Sequence, residues 1–462
     1  MKEMSLNQIT RACGGIYIGD ESKKSLEVSG VVIDSRKVEP GYLFIALKGE
    51  RVDGHSFIPA VFAKGAACVL CEQAPDHPTG PYILVESCLN ALKSLAEYYR
   101  STLSIPIVGI TGSVGKTSTK EMIAAVLEQK YHVLKTEGNF NNEIGLPLTI
   151  FRIREEHEAA VLEMGISDFG EMTRLGRMAK PNICVFTNIG LCHLENLKDR
   201  DGILKAKTEM LGEAQPGAQV ILNGDDDKLI TLKESRTPKP CFFGLEPSHD
   251  LYASDIENLG LNGTQCTFVT KAGRFQAHIP IPGQHMVYNA LAGTAVGLAL
   301  NLSLDEIQKG IESLMPVSGR NNLIHTEKWD ILDDCYNANP VSMCASLDVL
   351  SCALGRKVAI LGDMGELGEN EKLLHYNVGC HAADASIDAV FLVGELSKET
   401  ARGIEAKNVG LTFRHFDTKQ ELINTLPLLL SKGDSILVKA SHFMDFEEIV
   451  AYLKKTGERN LL

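Results

Sequence analysis

What the 462-residue chain lacks narrows its class first. It has no long hydrophobic run: the most apolar stretch, residues 290–300, is too short and too rich in Ala and Gly to span a bilayer. The N-terminal Met-Lys-Glu-Met-Ser-Leu-Asn-Gln-Ile-Thr has no apolar core of the kind a secretory signal needs. Positive charge is not in excess. Lys and Arg number 46 against 59 Asp and Glu, a net charge of −13, and no basic patch dominates, which argues against nucleic acid as the main partner. The 12 cysteines form no framework, so reduced thiols in a cytoplasmic protein are expected. Cys68 and Cys71 have redox or zinc spacing but no second pair, and read as buried thiols on a strand. No internal repeat and no low-complexity segment is visible. What is present, 44% apolar and 23% charged residues, is ordinary for a soluble globular protein, and the length suggests about three domains.

The pattern along the chain agrees. Residues 1–103 read as a small α/β unit, with strands at 31–34, 43–47, 67–71 and 82–85 and helices at 57–64 and 90–99. Residues 104–315 alternate strand and helix, with apolar runs at 159–164, 183–188 and 219–223, which predicts a parallel sheet. A helix of small residues is expected over 289–300. Residues 316–462 read as a Rossmann-like unit with strands at 331–334, 358–361, 389–393 and 435–439.

The most informative segment is Gly109-Ile-Thr-Gly-Ser-Val-Gly-Lys-Thr117, between an apolar run and a helical pattern. Backbone amides of such a turn, here Gly112, Ser113, Val114 and Gly115 running into Lys116, Thr117 and Ser118, cradle phosphate. Lys116 suits β/γ-phosphates and the Thr117 hydroxyl suits Mg²⁺. The strict P-loop spacing would put its first glycine at Ile110, whereas it is Gly109, which points to a special subclass.

Other candidates cluster at predicted strand ends, where open parallel sheets bind ligands. Glu163 is placed to hold Mg²⁺, or is a solvated strand-end charge. His193 follows the next strand and suits a second metal or a substrate phosphate. Lys207, in Lys-Ala-Lys-Thr-Glu, reads from spacing alone as part of a solvated basic face. The Asn-rich segment with Asn139, Asn141 and Asn142 is either a polar turn or a loop offering amides to substrate. Asp334 follows a strand of the third unit and suits ribose hydroxyls; Arg320 at the domain junction suits phosphate.

Together these segments resemble the Mur ligase family over nearly the whole chain, in the family's motif order. Supporting segments are Asp34-Ser-Arg36, Asp53-Gly-His-Ser-Phe57, Gly138-Asn-Phe-Asn-Asn-Glu-Ile-Gly-Leu-Pro147, Leu162-Glu-Met-Gly165, Asp334-Cys-Tyr-Asn-Ala-Asn-Pro340 and Leu361-Gly-Asp-Met-Gly-Glu-Leu-Gly368. Within the family they match best the members that join D-alanyl-D-alanine to UDP-N-acetylmuramoyl-tripeptide (UDP-MurNAc-tripeptide). The branch that adds the third amino acid usually carries Asp-Asn-Pro-Arg, absent here. The resemblance implies three α/β domains, ATP with two Mg²⁺ ions, an acyl-phosphate intermediate and a monomer. It assigns Ser35 and Arg36 to the UDP moiety and Thr117, Glu163, His193 and a CO₂-derived carbamate on Lys207 to the metals. Asn289 would contact adenine, Arg320 and Asp334 phosphate and ribose, and Asn337 and Asn339 the dipeptide and nucleotide. The chain departs from the family pattern at Met286, usually Asn, and at His442, often Arg.

Overall fold

A computed structural model describes residues 4–49, 52–234, 239–407 and 410–458. Three large sheets, of five, nine and six strands, succeed one another along the chain, each the centre of an α/β domain, and Met4–Ser5 pairs with Glu27–Val28 in a small two-stranded sheet. The first has the order Ile16–Ile18, Tyr82–Leu84, Cys68–Cys71, Tyr42–Ile45, Gly30–Val32, parallel except at the Ile16–Ile18 edge. Cys68 and Cys71 are buried free thiols on its central strand. The helix Cys88–Ser101 starts at the Ser87 cap and buries an apolar stripe including Leu92, Leu95 and Tyr99. Its last turn ties this domain to the next. Arg100, 3% exposed, donates to the carbonyls of Ala179 and Lys180 and to Asn182 Oδ1 at 2.8–3.2 Å.

The second sheet has nine strands. Its core is Val133–Lys135, Ala159–Glu163, Ile107–Thr111, Ile183–Phe186 and Gln219–Asn223, all parallel. Ile107–Thr111 is buried at every residue, as expected of a strand covered on both faces. Cys241–Gly244 and Leu251–Asn258 continue the parallel order, but Thr264–Thr270 and Gly273–Ile279 then add an antiparallel extension. The expected parallel sheet is there, and the antiparallel extension is an addition that strand–helix alternation does not anticipate. The final strand runs Gly-Arg-Phe-Gln-Ala-His-Ile with alternating exposure, the pattern of a half-solvated edge rather than a buried run.

The helix of small residues runs over His285–Ala299. Its glycines set its depth: a Cβ on Gly293 would lie 3.0 Å from Met122 Cγ, and one on Gly297 2.9 Å from Val126 Cγ1. That close approach seats the helix on Lys116–Leu127, the helix that leaves the glycine-rich loop. The third sheet has the order Asn322–His325, Asp330–Asp333, Ser435–Lys439, Lys357–Gly362, Ala389–Val393, Thr412–Phe416, parallel except at the Asn322–His325 edge. Among the described residues no helix is long and apolar enough to cross a membrane.

Candidate functional site

Ile107–Thr111 ends in the glycine-rich turn, and Gly115 is in the left-handed region at φ 80° as the helix Lys116–Leu127 begins. A side chain would strain that conformation. The turn is laced to the neighbouring strand end. Val114 N–H donates to Asn188 Oδ1 at 2.9 Å, and the Val114 carbonyl accepts from Thr187 Oγ1 at 2.7 Å and Asn188 Nδ2 at 3.1 Å. Ser113 N–H donates to the Asn188 carbonyl at 3.1 Å. Thr187 and Asn188 are therefore structural parts of the loop that sequence reading missed. Their signal was the polar pair after an apolar run. Lys116 Nζ rests on the Gly112 carbonyl at 2.9 Å.

The loop faces a cavity of about 780 Å³ between the second and third domains. Residues 113–118, Asn139, Asn141, Asn142, Glu163, His193 and Asn289 line it from one side, and Arg320, Asp334, Asn337 and Asn339 from the other. Gly112, Lys207, Ser35 and Arg36 do not line it. Ser35 and Arg36 lie in the first domain on the short 3₁₀ helix Ser35–Lys37, where Arg36 pairs bidentately with Asp34 at 3.0 and 2.9 Å. That guanidinium holds the Asp34 carboxyl down at about 2.

Glu163 is 2% exposed, and its carboxylate accepts from Thr117 Oγ1 at 3.0 Å and Asn141 Nδ2 at 2.9 Å. It is thus a fixed oxygen donor on the cavity wall, not a solvated strand-end charge. His193 adopts φ 50° at the start of Leu194–Leu197, and its Nδ1 lies 3.0 Å from Glu366 Oε2 of the third domain. Burial, reinforced by Lys207 and Lys116, lowers its pKa despite that carboxylate.

Lys207 corrects the solvated-face reading. It is 1% exposed, and among the described residues its ammonium has no hydrogen bond or ion pair. Burial first, then the charge of Lys116, pull its pKa down to about 8. Its helix, Arg200–Thr208, is capped by Asp199 and buries Ile203, Ala206 and Lys207.

The expected asparagines divide by what their side chains already do. Asn141 serves Glu163; Asn142 Oδ1 accepts from Ile144 and Gly145 N–H; Asn339 caps the helix Pro340–Ser351. Asn337 Oδ1 accepts from Ala338 N–H, leaving its amide hydrogens, and the Asn139 side chain has no bond among the described residues. Asn289 accepts from Thr119 Oγ1 at 2.8 Å and lies against the loop, its Oδ1 3.6 Å from where a Gly115 Cβ would sit. Its Nδ2 contacts Met286 sulfur at 3.1 Å, so the departure at Met286 is absorbed by this helix. Asp334 holds Lys439 Nζ at 2.6 Å and Ser346 Oγ at 2.6 Å through Oδ2, and Asn321 N–H at 3.1 Å through Oδ1. Arg320 stacks on Tyr336 at 4.2 Å, and His442 stacks on the same ring at 5.4 Å.

A phosphate-type loop, a buried carboxylate beside its threonine, and a second α/β domain across the cavity define a multidomain P-loop nucleotide enzyme. Three family models match the chain: Mur ligase family, catalytic domain, at residues 27–100; Mur ligase middle domain at 110–297; and Mur ligase, glutamate ligase domain, at 319–442. The UDP-N-acetylmuramoyl-tripeptide--D-alanyl-D-alanine ligase of Bacillus subtilis is 39% identical over 428 residues, 92% of each chain. MurF from Acinetobacter baumannii superposes with a TM-score of 0.89 at 32% identity over 98% of both chains. The MurF ligase of Thermotoga maritima in complex with ADP gives 0.80 at 30% identity, covering 92% of this chain and 97% of that one. The chain belongs to the Mur ligase family and is an ATP-dependent ligase.

Proposed function

We propose that the enzyme joins D-alanyl-D-alanine to UDP-MurNAc-tripeptide at the expense of ATP, giving the UDP-linked pentapeptide used to build peptidoglycan, and that it works in the cytoplasm as a monomer. One observation carries the reading. A P-loop and a distinct third-domain wall share a single cavity, in a chain similar along its length to ligases of that name.

The donor set fits magnesium. The Thr117 hydroxyl and Glu163 carboxylate are hard oxygens on the same wall, and Mg²⁺ completes its shell with waters and phosphate. Bound there, the ion supplies positive charge to the γ-phosphate. His193 would serve a second ion together with Lys207. The neutral amine is the form that adds CO₂, and burial beside Lys116 favours it. As a carbamate, Lys207 would present oxygens where the bare amine has no partner.

The protein's own residues then do the following. Loop amides hold the phosphates, and Lys116 exchanges the Gly112 carbonyl for phosphate oxygen. The tripeptide carboxylate attacks the γ-phosphorus and ADP leaves. The dipeptide amine attacks the acyl carbon, the C–O bond to phosphate breaks, and the amine proton is lost. Lys116 offsets charge in the first step, and further closure of the two domains around the substrates would keep water from the acyl phosphate. Ser35 and Arg36 take the UDP end in the first domain, while Asn139, Asn142, Asn337 and Asn339 keep amide hydrogens for substrate. Arg320 and Asp334 would meet nucleotide phosphate and ribose, with Asn289 toward the base. Phosphate release from ATP with UDP-MurNAc-tripeptide should require D-alanyl-D-alanine. Release that ignores the dipeptide sinks the assignment.

A further inference from the structure

Four carboxylates line the central cavity: Glu163, Glu171, Asp334 and Glu366. Three are occupied. Glu163 takes Thr117 and Asn141, Glu171 takes the N–H groups of Ser167 and Asp168, and Asp334 takes Lys439, Ser346 and Asn321. Glu366 has one partner among the described residues, His193, through Oε2 at 3.0 Å, and its side chain is 73% exposed. A pair that open to solvent contributes little and exchanges readily for another cation.

The backbone beneath Glu366 is built to hold it there. Glu366 adopts φ 60°, a left-handed conformation that non-glycine residues seldom take and that recurs at functional sites. The loop is pinned on its N-terminal side. Met364 N–H donates to Nε2 of the buried His375 at 2.9 Å, and Nδ1 of that ring meets the Glu371 carbonyl at 2.7 Å. Gly365 N–H donates to Ser441 Oγ at 2.8 Å. Asp363 in turn accepts from Leu396 and Ser397 N–H. A rigid, strained loop thus holds one underused carboxylate in the cavity, opposite the phosphate loop.

Resting on the ligase reading, we propose that Glu366 is the docking group for the ammonium of the incoming amino substrate, the end of the dipeptide that becomes the nucleophile. The substrate cation replaces His193 at the carboxylate, and Oε1 is free for a second N–H. Glu366 therefore selects for a free α-amine and sets its approach from the third-domain side.

The test compares two nucleophiles with the full-length enzyme, ATP and UDP-MurNAc-tripeptide. One is D-alanyl-D-alanine; the other is hydroxylamine, uncharged at neutral pH, which traps the acyl phosphate as a hydroxamate. Glu366→Gln should raise KM for the dipeptide about 5- to 10-fold, the worth of an ion pair that the bound dipeptide partly shields from water. Hydroxamate formation should stay within about 2-fold of wild type, because it needs no ammonium site. Glu366→Asp should recover part of the dipeptide KM. An unchanged KM in Glu366→Gln overturns the proposal. So does a parallel fall in hydroxamate formation, which would make Glu366 a strut between the domains. Wild-type enzyme that forms hydroxamate but never ligates the dipeptide would instead refute the function assigned above.

Discussion

Replacing Lys207 with methionine should make the protein more stable and inactive at once. The lysine is 1% exposed, and its pKa falls from 10.5 to about 8, through burial first and then the charge of Lys116. At pH 7.5 about a quarter of such amines are neutral, against about one in a thousand at the ordinary value. The sign follows from proton binding. Between about 8 and 10.5 the unfolded chain holds the proton and the folded chain does not, so stability rises with pH across that window. Below pH 8 the full penalty stands, on the order of 3 kcal/mol. Methionine fills a similar volume without a charge, so Lys207→Met should gain up to about that amount at pH 7 and progressively less above pH 8. The assay is denaturant unfolding from pH 6.5 to 10.5 in CO₂-free buffer, beside ligase turnover at pH 7.5. A variant less stable than wild type at pH 7, or a difference that does not shrink with pH, refutes the electrostatic account. Full turnover in the variant refutes the role given to the amine.

Two further outcomes follow from packing. In Gly112→Ala the new Cβ would stand 1.9 Å from Thr187 Oγ1, the hydroxyl that holds the Val114 carbonyl, so the loop must move; calorimetry should show at least about a 10-fold loss of ATP affinity and unfolding experiments a cost of about 2 kcal/mol. Arg100→Ala strands the Ala179 and Lys180 carbonyls at the seam between the first two domains and should destabilise by about 3 kcal/mol, with faster hydrogen exchange in Cys88–Ser101. A cost under about 1 kcal/mol would mean that water replaces the guanidinium.

The strands were legible where burial on two faces writes an unbroken apolar run. Gln219–Asn223, Ala389–Val393 and Ser435–Lys439 lie where the runs put them. The extension over Thr264–Ile279 was not, because an edge strand's pattern is set by which face meets water, and strand–helix alternation does not anticipate it. Helix starts were blurred for a different reason. His285–Ala299 begins before the small-residue stripe, at a Gly-Gln-His segment whose polarity resembles a loop.

Lys207 shows what a closer use of period would have read. Ile203, Ala206, Lys207 and Met210 are spaced i, i+3, i+4 and i+7, and all four are buried. Lys205 lies on the opposite side of the helix and is exposed. The lysine therefore sits inside the apolar stripe, and a cation there demands a reason that a basic face does not. Glu366 carries no such mark. It stands alone between Gly365 and the buried Leu367 with no helical or strand period to place it, and its partner His193 comes from another domain. Spacing rules reach one turn of helix or one strand pair, while the cavity is made by two domains meeting. The residues local reading places well are those a single element positions, such as Lys116 and Thr117. One that depends on two domains meeting, such as Glu366 against His193, becomes visible only in the tertiary fold.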